Sequence, residues 1–124
     1  MRMSLVVLAL CISSASAASK AADDLVTAKD MLANPHDEHN RTYLRGVWDG
    51  LRSANVTLEE NHQKPLFCTP PKQEIPPDQV INILGQYLGP DPRSPFKDVV
   101  ASMPVDAVLL DALQEVFPCP PGKS

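Results

Sequence analysis

Thirteen prolines interrupt this chain of 124 residues, and their placement constrains its fold more than any other feature. Pro65, Pro70, Pro71, Pro76 and Pro77 fall in one stretch, Pro90, Pro92 and Pro95 in a second, and Pro118, Pro120 and Pro121 close the chain. A proline lacks the backbone N–H that a helix interior or a central strand needs, and its ring clashes with the preceding helical turn. Regular structure is therefore confined to the intervals between these clusters.

The intervals carry helical periodicity. "DDLVTAKDML", Asp23 to Leu32, reads as a short helix with acids at its start, where the helix dipole favours them, and "ANPHDEHN" breaks it. In "TYLRGVWDGLRSA", Thr42 to Ala54, an advance of 100° per residue gathers Tyr43, Leu44, Val47, Trp48, Leu51 and Ala54 into one arc opposite Arg45, Asp49, Arg52 and Ser53. Trp48 reads as core on this face, the alternative being a partly exposed binding anchor. Gly46 and Gly50 sit four apart on the flank, each costing about 1 kcal/mol relative to alanine. Close approach of another helix would offset that cost; otherwise the glycines are simply tolerated.

Asn55 to Pro77 reads as a long connection. "DQVINILGQYLG" follows, with Asp78 placed to cap its first turn, Val80, Ile81, Ile83, Leu84, Tyr87 and Leu88 forming a broad apolar face, and Gly89 with Pro90 stopping it. This segment is expected to be the central helix. Pro90 to Ser102 reads as a second punctuated loop, fixed to the body by Phe96, Val99 and Val100. The last helix starts near Pro104, with Ser102 as candidate cap, and buries Val105, Val108, Leu109, Ala112, Leu113 and Val116 until Pro118 ends it. The sum is an all-α domain, a small bundle of about four helices with proline-rich loops and one disulfide.

The N-terminus sets the compartment. Arg2, the apolar run "LVVLALCI" and the small-residue exit ending Ala15 to Ala17 have the order of a secretory signal peptide, residues 1–17, leaving a single domain over 18–124. Its apolar run is too short for a permanent membrane anchor, and no later segment approaches one. Cleavage removes Cys11 and leaves Cys68 and Cys119 in an oxidising compartment, where one intramolecular pair is available, the alternative being two free buried thiols. Closing that loop would stabilise the fold by roughly 4 kcal/mol. The acidic balance, net charge −4, leaves no footprint for nucleic acid or an anionic membrane and mildly favours a basic protein partner.

The chain offers no phosphate loop, paired-histidine metal motif or nucleophile elbow. "HDEH", His36 to His39, has a spacing that brings two imidazoles to one side of a helical turn, but it reads first as a solvated loop after Pro35. Cys68 with His62 imitates a thiol–imidazole pair without a third group. "NRT" at Asn40 and "NVT" at Asn55 match a glycosylation pattern too short to be specific. The expectation is a protein with no catalytic residues, no cofactor and no metal.

Three pieces stand in a fixed order: "YLRGVWDG" at Tyr43 to Gly50, "FCTPP" at Phe67 to Pro71 and "ALQEVFPCP" at Ala112 to Pro120. Together they resemble the Rap/Tai family of type VI secretion immunity proteins. The matching positions are Tyr43, Gly46, Val47, Asp49 and Gly50, then Cys68 and Pro70, then Gln79, Tyr87 and Leu88, and finally Ala112, Leu113, Phe117, Pro118 and Cys119. The resemblance covers roughly Tyr43 to Pro120. The cysteine pair that many members carry near the first motif is missing, and "GPDPRSPFKDVVASMP" is an unusual insertion between the last two long helices.

The resemblance implies a small helical protein of the periplasm, monomer or homodimer, that binds and occludes a peptidoglycan amidase effector without catalysis. It places effector binding on a protruding loop, here Asp91, Arg93, Phe96, Lys97 and Asp98, with Phe96 as apolar anchor and the charges setting specificity. The competing expectation is a periplasmic stress-protection chaperone, which would loosen and expose apolar surface at low pH.

Overall fold

The computed structural model describes residues 25–89 and 95–122; the signal segment, Asp91 and Arg93 lie outside them. Among the described residues there are five helices and no strand: α1 (Ala28–Ala33), α2 (Glu38–Glu60), α3 (Pro77–Leu88), α4 (Pro95–Ala101) and α5 (Val105–Val116). The all-α fold is as expected, with one helix more than the count of about four.

α1 begins later than Asp23 because a capping box at Thr27 defines its start. Thr27 Oγ1 accepts from Asp30 N at 3.1 Å, and the Asp30 carboxylate accepts from Thr27 N at 3.4 Å. Just before it the chain pairs with the segment leading into α5, Ala28 N donating to Met103 O at 3.1 Å and Val105 N to Val26 O at 3.0 Å.

α2 is far longer than its apolar stripe, extending into both flanking stretches that read as loops. Asp37 caps it through its carboxylate, which accepts from Asn40 N at 3.0 Å, so "HDEH" straddles a helix start and is no loop. At the other end His62 N donates to Glu59 O at 3.0 Å and Gln63 N to Leu58 O at 2.8 Å, the paired bonds of a Schellman ending. His62 takes the left-handed position, φ 55°, where glycine is usual. That substitution conceals the helix end from a search for Gly or Pro.

α3 starts behind Pro76 without a side-chain cap. Asp78 does not cap it; its carboxylate lies 3.4 Å from Arg41 of α2, an exposed ion pair. Gly89 ends α3 with φ 54°. Ser102 does not cap α5 either: its hydroxyl donates to Asp98 O at 2.9 Å and closes α4, while Pro104 stands at the α5 cap position.

α3 and α5 each pack against all four other helices, so the central role predicted for α3 is shared with α5. The core contains Met31 of α1, Leu44 and Trp48 of α2, Val80 and Leu84 of α3, and Val105, Val108, Leu109 and Leu113 of α5, with Phe67 from the proline-rich segment. At about 25 cal/mol per Å² of apolar surface, burial of such side chains is the main favourable contribution to folding. Val116, on the predicted apolar face, is exposed. Gly46 and Gly50 are exposed too, and a Cβ at either would meet nothing within 4 Å, so no helix exploits their bare backbone.

Candidate functional site

The proline-rich segment between α2 and α3 is held from several directions. Phe67 is buried and stacks on Trp48 of α2, ring centroids 5.9 Å apart. Asn55 reaches out of α2 and clamps the adjoining peptide groups, its Oδ1 accepting from Leu66 N at 2.7 Å and its Nδ2 donating to Phe67 O at 2.8 Å. Gln114 of α5 donates to Leu66 O at 3.2 Å.

The next residue is Cys68, joined to Cys119 by a disulfide with a 2.05 Å S–S bond. Cys68 N also donates to Phe117 O at 2.8 Å. The disulfide therefore ties the chain just beyond α5 to this segment, across 51 positions of sequence. It removes Cys68 from any thiol–imidazole pair with His62, whose left-handed backbone serves the end of α2 instead.

Beyond the disulfide, Thr69 to Glu74 are exposed without exception, and Ile75 is buried. The loop thus leaves the surface at one anchored point and returns at another. Its tip is a turn through Pro70, Pro71, Lys72 and Gln73, with Gln73 N donating to Pro70 O at 3.4 Å and Lys72 at φ 63°. Proline at the second turn position and positive φ at the third are the features of a type II turn, where glycine ordinarily takes the third position.

The predicted binding residues lie elsewhere. Phe96, Lys97 and Asp98 stand on α4, about two helical turns in the stretch read as loop; local i to i+4 bonding closes it despite the prolines, because Pro95 falls at its first position, where no N–H is needed. Phe96 is 77% exposed and Val99, one turn on, 65%. Asp98 is exposed, while Lys97 is half-buried and folds its ammonium over the end of α3, within 2.9 Å of where a Cβ on Gly89 would lie. A cation beside helix C-terminal carbonyls is favourable, so Lys97 has a structural role besides any contact it makes.

The two glycosylation-like asparagines are both occupied. Asn40 is nearly buried, its Nδ2 donating to Asn34 O at 3.0 Å and so satisfying a carbonyl beyond the end of α1; Asn55 is the clamp described above. In the sequence Asn55 opens the stretch that reads as a connection, and nothing in that stretch signals a clamp. Among the described residues no three His, Cys, Asp or Glu side chains converge as a metal site, and no helix is long and apolar enough to cross a membrane. The Tyr87 phenol is pushed above its ordinary range by partial burial and then by the charges of Asp111 and Glu115.

No family model, curated protein or solved structure matches this chain.

Proposed function

We propose that this protein is an exported immunity protein of the Rap/Tai kind, which acts in the periplasm by binding a peptidoglycan amidase effector of type VI secretion and occluding its cleft. The observation that carries the reading is the meeting of the three sequence pieces behind the resemblance. Trp48 of the first stacks on Phe67 of the second, and Cys68 of the second bonds to Cys119 of the third. Residues scattered over the chain thus form one node, a scaffold on which partner-facing segments are displayed.

The exposed apolar pair Phe96 and Val99 supplies an anchor of the kind that protein interfaces bury at their centre. Asp98 stands at its rim, with Asp91 and Arg93 close in sequence. Binding in this scheme excludes the peptide stem of peptidoglycan by occupancy, and the protein itself performs no chemistry. One copy or a homodimer serves equally.

A tagged pull-down from periplasmic extract of the host, with secretion active and bound proteins identified by mass spectrometry, tests the reading. The expected result is a stoichiometric amidase whose hydrolysis of sacculi falls on binding. Recovery of many unrelated proteins, increasing at acid pH, replaces the immunity reading with the chaperone one.

A further inference from the structure

Two adjoining cavities of about 750 and 1140 Å³ run between α2 and the proline-rich segment. They share Arg52, Glu59 and Thr69 in their walls and so form one open groove, with the outer face of α2 as its floor and Thr69 to Pro77 as its far wall. The volume suffices for a small ligand. Trp48 and Phe67, both buried and stacked on each other, reach its base, so the groove stands on the disulfide-linked node.

The floor carries three exposed side chains in order along one face of α2. Arg52, Val56 and Glu59 follow each other at intervals of four and three, the spacing of neighbours on a helix surface. The Arg52 guanidinium lies over the Trp48 ring, 5.9 Å from its centroid, a cation–π contact that holds it against the base of the groove. Val56 is 54% exposed between two charged neighbours. Glu59 stands in the last turn of α2, which contains no basic residue. A carboxylate at the negative end of a helix is unfavourable, and an amine seated against it relieves the repulsion. Neither Arg52 nor Glu59 forms an ion pair among the described residues. Lys72 and Glu74 on the opposite wall carry one charge of each sign, and Asp49 lies a turn before Arg52, beyond the interval between the two charges.

We propose that this groove binds a short peptide with both termini free, its carboxylate on Arg52, its ammonium on Glu59 and an apolar side chain on Val56 between them. From Arg52 to Glu59 the helix rises roughly 10 Å at 1.5 Å per residue, and three extended residues span roughly the same length at 3.3–3.6 Å each. A tripeptide therefore satisfies both charges at once, whereas a longer extended peptide engages only one of its ends. The guanidinium offers the planar pair of donors that a carboxylate accepts. α4 lines neither cavity, so the site is separate from the Phe96 and Val99 anchor and the inference stands without the amidase reading.

The test titrates the purified, disulfide-bonded protein with the tripeptide Ala-Leu-Ala and follows backbone amide and indole N–H shifts by NMR. Saturable shifts are expected along Asp49 to Glu59, along Thr69 to Glu74 and at Trp48, the only tryptophan of the chain. N-acetylation and C-amidation of the peptide should each weaken binding about fivefold. Arg52→Gln should bind the free and the amidated peptide equally, and Glu59→Gln the free and the acetylated peptide equally, while each variant keeps its response to the other end. Arg52→Gln also gives up the Trp48 contact, so Arg52→Lys, which keeps the charge, should restore the preference for a free carboxylate. Both side chains are exposed, and Arg52→Lys and Glu59→Gln should melt with the wild type. Absence of saturable shifts at millimolar peptide, shifts confined to other surfaces, or affinities indifferent to blocked ends overturn the proposal, the last of these assigning the groove to a segment of a longer chain.

Discussion

His62 and Lys72 are the two described residues other than glycine held at positive φ, and each sits in a hydrogen-bonded turn. His62 completes two backbone hydrogen bonds that close α2, so its strain has a local structural use. His62→Gly should therefore stabilise the protein by about 1 kcal/mol, read as a higher urea midpoint at unchanged slope; an unchanged or lower midpoint would mean that the left-handed position is not strained. Asn55 is the opposite case. Replacing it with Ala leaves Leu66 N and Phe67 O without their partner, and a loss of about 1–3 kcal/mol is expected by denaturant titration. A smaller effect would show that water replaces the clamp. Both residues look unremarkable in sequence, since a histidine is a poor signal for a helix end and an asparagine a poor signal for a helix interior.

At the scale of elements, the existence of α1, α2, α3 and α5 was legible and their extent was not. The apolar arc of α2 covers Tyr43 to Ala54, but backbone hydrogen bonding continues through polar residues at both ends, because the nearest capping groups are Asp37 and the His62 turn. α4 was illegible for a related reason: only part of its short surface is buried, so its periodicity is weak, and prolines dominate the reading of its neighbourhood. Its exposed face gives a clear expectation. Phe96→Ser should change stability by less than about 0.5 kcal/mol, as surface changes do, while weakening binding to the proposed amidase partner; unchanged affinity would remove α4 from the proposed interface. The disulfide is expected to be worth about 4 kcal/mol, so the Cys68→Ser, Cys119→Ser pair should lower the thermal midpoint substantially. An equal midpoint in reduced and oxidised protein would show that the hydrogen bonds of Leu66, Phe67 and Cys68 suffice.

For the molecule as a whole, pH dependence at the alkaline end follows from Tyr87, which lies where α3 meets the acids of α5. Its phenol titrates higher in the folded state than in the unfolded chain, owing first to burial and then to Asp111 and Glu115. The unfolded chain therefore ionises first. The associated stability is present below pH about 10 and is lost as pH rises from there through the folded value. Denaturant midpoints should fall across that range, and the fall should be shallower in Tyr87→Phe; identical slopes would place the alkaline sensitivity elsewhere.

Composition and periodicity by themselves determined the all-α class, the apolar faces of α2, α3 and α5, the stop at Gly89 and the pairing open to Cys68 and Cys119. These depend on spacing along one helix or on the number of available partners, which are properties of the chain alone. The tertiary structure decided the rest. It drew Trp48, Phe67, Cys68, Phe117 and Cys119 into one node, made Asn40 and Asn55 structural, placed Phe96 on a helix, and set Lys72 at the tip of an anchored turn. The node depends on contacts between residues distant in sequence, while the helix at Phe96 and the turn at Lys72 close through local backbone bonds among prolines, and neither leaves a periodic trace in the order of the amino acids.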